Sequence, residues 1–219
     1  MSRGREDFLP VFFDLDGTLA DSAGGIIASL EHAMSACGLD AATIDWQRHI
    51  GPPLPQMLAA TMPDLAPAVR AEIVSAFRAH YAVSGMFMTT AFPGIAEVLQ
   101  LLSARGRSLY VVTNKPQNPA EAILRHLGLD RFVSRVVGGD PTGKVTKPER
   151  AAALVAEERL SGGVFVGDGL DDLHAAERIS ARFVLAGWGY GTATVRASAS
   201  HAELVAQPDD LLRVIEEAG

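Results

Sequence analysis

Asp14 and Asp16 stand one residue apart in "FFDLDGTLADS" (12–22), at the end of the apolar run Phe8-Leu9-Pro10-Val11-Phe12-Phe13. Asp168 closes a second such run, "GVFVGD" (163–168), with Asp171 and Asp172 close behind. Thr113 and Asn114 close a third, "SLYVVTN" (108–114), and Lys147 opens the stretch that follows a fourth, "FVSRVVGG" (132–139). Hard, oxygen-rich side chains of this kind select Mg²⁺, which binds through one or two carboxylates and a substrate phosphate. A carboxylate can also attack phosphorus directly and form an aspartyl-phosphate. Two anions must then meet, and at ~4 Å with an effective dielectric near 20 each unit-charge pair costs about 4 kcal/mol. That is about three decades of rate, so the attack needs cations. Mg²⁺ held by Asp168, together with Lys147, would supply them.

Taken singly, each group has a plain structural reading. Acidic turns end many strands, Thr-Asn pairs make turns, a lysine at a helix start is ordinarily solvated, and aspartates cap helix N-termini. They gain chemical meaning only if the fold gathers them. Five short β-rich runs, 11–16, 108–114, 132–139, 163–168 and 181–187, are bounded by Gly, Asp or Asn, as suits strands buried on both faces of a parallel sheet. Amphipathic stretches at 94–105, 118–128, 147–160 and 171–179 predict helices, with Pro or Gly at nearly every junction. The alternation predicts an α/β fold with a Rossmann-like, doubly wound parallel sheet. In such sheets ligands bind beyond the carboxyl ends of the strands, where the four polar sets would converge.

One segment breaks the alternation. Residues 21–88 contain no convincing strand, only helical stretches such as "GIIASLEHAMSACG" and "APAVRAEIVSAFRAHYA", and Pro52, Pro53 and Pro55 interrupt them. The expectation is a small helical domain, 21–88, inserted into a core made of 1–20 and 89–219. Composition narrows the function. The 219 residues are 48% hydrophobic and carry a net charge of -7, with no basic run, which argues against a nucleic-acid surface. Cys37 is the only cysteine, so no intramolecular disulfide can form. No stretch reaches the ~18 apolar residues of a membrane span, and "MSRGREDFLP" does not read as a signal peptide. A cytoplasmic protein without membrane or nucleic-acid partners is expected, as a monomer or homodimer. The six histidines show no metal-ligand spacing.

"DLDGTLADS", "VVTNK", "KPE" and "GDGLDD" resemble, in order, the four motifs of the haloacid dehalogenase superfamily. "FPG" (92–94), "WGYG" (188–191) and "IGPPL" (50–54) resemble its phosphoglycolate-phosphatase-like branch. The resemblance covers most of the chain and implies a role for each position. Asp14 would be nucleophile and metal ligand. Asp16 would be the general acid, with its backbone carbonyl toward Mg²⁺. Thr113 would donate to the phosphoryl group with Asn114 beside it, Lys147 would neutralise charge, Asp168 would hold the metal, and Asp172 would support it. Asp171 is an extra acid without an assigned role. The third motif departs where Arg150 follows Glu149 in place of a frequent proline, which leaves Lys144 open as an alternative to the better-fitting Lys147. In the inserted helical cap, Arg48, His49 and Gly51 are candidates for touching substrate.

Within the superfamily, Asp16 argues for phosphoryl transfer over dehalogenation. Phosphonate cleavage there uses a Schiff-base lysine from the cap; the three lysines are Lys115, Lys144 and Lys147, so 21–88 contains none. The resulting expectation is a Mg²⁺-dependent phosphomonoester hydrolase acting through an aspartyl-phosphate on a small phosphorylated metabolite such as 2-phosphoglycolate. A sugar phosphomutase uses the same four motifs, and a phosphate-binding regulatory module without turnover is the alternative of another class.

Overall fold

The computed structural model describes residues 9–41, 44–140 and 144–217. A six-stranded parallel sheet forms the centre: β1 (Val11–Phe13), β4 (Leu109–Pro116), β5 (Arg135–Gly139), β6 (Val164–Gly167), β7 (Arg182–Ala186) and β8 (Glu203–Val205), in spatial order β5-β4-β1-β6-β7-β8. A separate antiparallel pair, β2 (Ala20–Asp21) with β3 (Thr90–Ala91), brackets the segment between them. The doubly wound α/β architecture read from the sequence is the one observed. Strand placement reverses at β1: the chain steps outward to β4 and β5, then returns to the other side of β1 for β6. This switch point opens a crevice beyond the carboxyl ends of β1 and β6.

The sheet is apolar on both faces, as helices on both sides require. On β1, Val11 and Phe13 belong to the core on one face and Phe12 to the core on the other, the two-residue alternation of a strand. Phe12 stands opposite Tyr110 of β4 and Phe165 of β6, its ring stacked 5.5 Å and 6.0 Å from theirs. Helices α4 (Ile95–Ala104), α5 (Gln117–His126), α6 (Lys147–Glu157), α7 (Leu170–Arg178), α8 (Thr192–Ser198) and α9 (Leu211–Glu216) complete this unit. Between β2 and β3 lie α1 (Ala23–Ala36), α2 (Leu54–Thr61) and α3 (Pro67–Val83), with α1 against α3. Among the described residues, no helix is long and apolar enough to cross a membrane.

The differences from the sequence reading are small and physical. β1 ends at Phe13, three residues short of the apolar-run boundary, because Leu15 O accepts from the N–H groups of Thr18, Leu19 and Ala20 in a tight turn. The "FVSRVVGG" strand starts at Arg135, since Asp130–Phe132 form a 3₁₀ turn instead. β8, α8 and α9 were not anticipated; at three, seven and six residues they are too short to show a period.

Candidate active site

The tight turn after β1 sends Asp14 toward the crevice. Its conformation depends on Gly17, whose φ of +83° suits glycine, and a Cβ there would come within 2.5 Å of Asp168 Oδ2. Thr18 Oγ1 donates to Asp168 Oδ1 at 3.3 Å, so the "DGT" tripeptide reaches across to β6. Gly17→Ala is expected to displace Asp168 and lower kcat/KM about 10²-fold, as measured by steady-state phosphate release; an unchanged rate would mean that Asp168 has no exacting position to keep.

Asp168 follows β6, and its Oδ2 accepts the Gly191 N–H at 2.9 Å. Asp172 lies in the first turn of α7 and accepts the Gly169 N–H at 2.9 Å, a capping contact. Lys147 is the first residue of α6, whose start is fixed by a reciprocal cap: Thr146 N–H donates to Glu149 Oε2 at 2.7 Å and Glu149 N–H to Thr146 Oγ1 at 3.4 Å. From there Lys147 Nζ lies 3.0 Å from Asp14 Oδ1 and donates to Asp172 Oδ1 at 2.7 Å. Asp14, Lys147, Asp168 and Asp172 are all buried. The fold therefore gathers four groups 158 residues apart in sequence (172 − 14) into one cluster.

Three carboxylates around one ammonium leave an excess of negative charge in a buried place. Burial first, then the charge on Asp14, push Asp168 up to about 6 and push Asp172 up as well, against the pull of Lys147. Burial alone would lower Lys147, but Asp14 and Asp172 more than offset it and hold the ammonium above the ordinary lysine range. One carboxylate oxygen from each of Asp14, Asp168 and Asp172 lies within 4.8 Å of the others. Asp14 Oδ1 is buried with no hydrogen-bond partner, its approach to Lys147 being an ion pair without hydrogen-bond geometry. A buried carboxylate oxygen without a hydrogen bond, beside two further carboxylates, fits a hard divalent cation such as Mg²⁺.

The unfolded chain ionises Asp168 near 3.8 and the folded one near 6, so the folded state keeps the extra proton in between. Metal-free stability therefore falls as pH rises through that window. A bound cation replaces the proton, so Mg²⁺ is expected to raise the melting temperature more at about pH 7.5 than at about pH 5. Thermal melts with Mg²⁺ and with a chelator check this, and equal increments at the two pH values would contradict it.

Thr113 is buried and Asn114 half-buried near the carboxyl end of β4, next to β1. Thr113 Oγ1 accepts the Lys115 N–H at 3.2 Å, which leaves its own O–H to donate. Asn114 Nδ2 donates to Asp171 Oδ2 at 2.8 Å and to Gly51 O at 3.1 Å. Arg150 donates to Asn114 Oδ1 at 2.9 Å and Thr113 O at 3.1 Å. Asp171 and Arg150, unassigned and anomalous in the sequence, thus both hold the end of β4. Lys144 lies on an exposed stretch, its backbone N–H donating to Asp140 Oδ2, and it is Lys147 that reaches the carboxylates.

Asp16 sits apart from the cluster. Its Oδ1 accepts from Ser22 Oγ at 2.5 Å and its Oδ2 lies 3.0 Å from Lys115 Nζ. Lys115 also donates to the Tyr81 hydroxyl of α3 at 3.0 Å. Burial would lower this ammonium, but Asp16 and Tyr81 more than offset it and hold it above its ordinary range. Lys115, Ser22 and Tyr81 escaped the sequence reading; the cue available for Lys115 was its place directly after Thr113-Asn114. Of the candidates Arg48, His49 and Gly51, Gly51 accepts from Asn114 of the sheet unit. Trp46 and Ile50 point inward on the Trp46–His49 turn, which leaves Arg48 and His49 outward, with Arg48 paired to Asp45 at 2.8 Å. A last contact holds the start of the helical insertion: the Tyr190 hydroxyl donates to Asp21 Oδ1 at 2.7 Å and accepts the N–H groups of Ser22 and Ala23 at 2.9 Å and 3.1 Å.

Known proteins resemble this chain in sequence and in fold. A Pseudomonas aeruginosa protein named 5'-nucleotidase is 35% identical over 186 residues, 83% of this chain and 84% of the relative. A phosphoglycolate phosphatase of Aquifex aeolicus is 31% identical over 212 residues, 94% of this chain and 96% of that one. The solved structure of Mycobacterium tuberculosis protein tyrosine kinase A matches with a TM-score of 0.80 and 32% identity, over 95% of this chain and 99% of that chain. Of that kinase's full sequence this chain covers only 63%. The family model for haloacid dehalogenase-like hydrolases matches residues 11–186, a span that holds every member of the buried cluster. This chain belongs to the haloacid dehalogenase-like hydrolase family.

Proposed function

We propose that the protein is a Mg²⁺-dependent phosphomonoester hydrolase acting through an aspartyl-phosphate on Asp14. The observation that carries the reading is the buried Asp14 oxygen, ion-paired with Lys147 Nζ at 3.0 Å but without a hydrogen bond, and grouped with Asp168 and Asp172. Asp14, Asp168 and Asp172 would hold the Mg²⁺, which supplies positive charge against the phosphoryl oxygens and so lowers the repulsion between anions. Asp14 attacks phosphorus, the P–O bond to the alcohol breaks, and Asp16 gives the departing oxygen its proton. Asp16 then takes a proton from the water that attacks the aspartyl-phosphate, which frees inorganic phosphate and restores Asp14. Lys147 stays charged throughout and offsets the anion on Asp14. Thr113 O–H donates to the transferring group.

Both oxygens of Asp16 are engaged, by Ser22 and by Lys115, so Asp16 must leave one of them to reach a leaving oxygen. Lys115 in turn is bonded to Tyr81 of the cap, and residues 21–88 act as a cap whose movement frees Asp16. The substrate is a small organic phosphate; relatives are named for 2-phosphoglycolate and for 5'-nucleotides, both phosphomonoesters. Turnover in heavy-oxygen water tests whether water attacks phosphorus, and trapping tests the intermediate. A phosphatase of this kind releases labelled phosphate, because water attacks phosphorus and not the Asp14 carbonyl. A single turnover of heavy-oxygen-labelled phosphate ester with excess enzyme, quenched in acid and digested, should show phosphate on the peptide bearing Asp14. Phosphate release without any phosphopeptide, or with it elsewhere, would sink the reading.

A further inference from the structure

Beside Asp16 lies a chamber of about 90 Å³ whose walls include Ile50, Gly51, Met57 and Lys115. Leu54, Phe77, Asn114 and Lys115 also line a second space, a hollow of about 670 Å³ between the cap and α5. The two spaces meet at Lys115, whose ammonium takes Asp16 on one side and the Tyr81 hydroxyl on the other. The hollow is mostly apolar: Leu54, Phe77, Tyr81 and Met86 come from the cap, and Pro116 and Pro119 from the core. The Phe77 and Tyr81 rings stack at 5.3 Å, and Lys115 Nζ lies 4.7 Å from the Tyr81 ring centre, so Phe77 is the aromatic side chain left to meet a ligand. Arg78 and Asp140 bring opposite charges to the walls, so they do not make an anion site.

A space of this size falls in the range of roughly 300–1,000 Å³ that holds drug-sized ligands behind largely apolar walls. A two-carbon acid would leave most of it as water against aromatic and aliphatic surface, forfeiting the burial that such walls offer. From this, and resting on the phosphatase reading of Asp14, we propose that the hollow is the subsite for the alcohol portion of the substrate. Its natural class is phosphomonoesters whose alcohol carries a ring-sized, largely apolar body. The phosphate stands at Asp14 and Lys147, the ester oxygen beside Asp16 in the small chamber, and the ring lies against Phe77, Leu54 and Met86.

Matched alkyl esters separate body from reactivity. With Mg²⁺ present, kcat/KM for 2-phenylethyl phosphate is expected to exceed that for ethyl phosphate and for 2-phosphoglycolate by about tenfold or more. Ala122→Trp fills the hollow from α5 and Ala82→Trp fills it from α3. Each should lower the phenylethyl value by about tenfold while moving the ethyl value less than about twofold. The ethyl rate reports that a variant is folded, and the second variant serves if the first is not. Equal kcat/KM for the phenylethyl and ethyl esters, a preference for 2-phosphoglycolate, or equal losses on both esters in the folded variants would overturn the subsite while leaving the phosphatase reading in place. No release from any of the three, or from p-nitrophenyl phosphate, would overturn the phosphatase reading and this subsite with it.

Discussion

Asp14→Asn is expected to lower Mg²⁺-supported turnover of p-nitrophenyl phosphate by at least about 10⁴-fold. The amide keeps the shape of the carboxylate but has no lone pair able to bond phosphorus at a useful rate. Its effect on the fold should run the other way. Asp14 is the second cause, after burial, that pushes Asp168 and Asp172 up, so removing its charge relieves repulsion inside the cluster. Lys147 keeps Asp172 at 2.7 Å and is not left unpaired. The metal-free variant is therefore expected to melt no lower than the wild type while its activity disappears, a combination that separates chemistry from folding. Parallel phosphate-release assays and thermal melts check it, and near-normal turnover would mean that another group attacks phosphorus.

Lys147→Met should damage both. It removes the one ammonium that faces Asp14 and Asp172, and leaves two buried carboxylates without their partner. Breaking a buried pair from one side costs about 3–5 kcal/mol, which for a domain of this size is a fall in melting temperature of roughly 6–20 °C. Turnover should fall by about 10²–10³-fold, the scale on which a single preorganised charge contributes to catalysis. Adding Asp172→Leu to Lys147→Met supplies the separation: an apolar replacement of both partners is expected to recover part of the stability and none of the rate. Urea unfolding and steady-state kinetics on the single and double variants measure the two effects. A Lys147→Met protein that melts like the wild type would show that the carboxylates do not depend on it.

The cluster was legible in the sequence because strand ends are. A continuous apolar run followed at once by a polar residue marks where a buried strand leaves the sheet, and the switch point brings those ends together whatever lies between them. Asp14, Thr113 and Asp168 are therefore placed by the sequence alone, and the cap of Thr146 and Glu149 fixes where α6 starts and so where Lys147 stands. The partners of Asp16 were not legible. Lys115 meets Tyr81 only because α3 docks over the end of β4, and docking depends on how the helical insertion is turned, which no local period encodes. Arg48 and His49 meet the same limit: no local signal tells that Trp46 and Ile50 are the buried residues of this stretch, which leaves Arg48 and His49 exposed. Arg150 looked like a defect in a motif and is a brace for Thr113 and Asn114.

The Tyr190 hydroxyl grips Asp21, Ser22 and Ala23 on the outgoing ribbon of the insertion. On the returning ribbon, the Phe92 ring lies 6.4 Å from both Trp188 and Tyr190. One short loop thus cuffs both strands of the wrist by which the helical segment is attached. The axle of any swing then has to lie outward of Ala23, so the moving arm is shorter than the insertion and its base turns with the sheet. Loosening that cuff is expected to let the wrist itself bend.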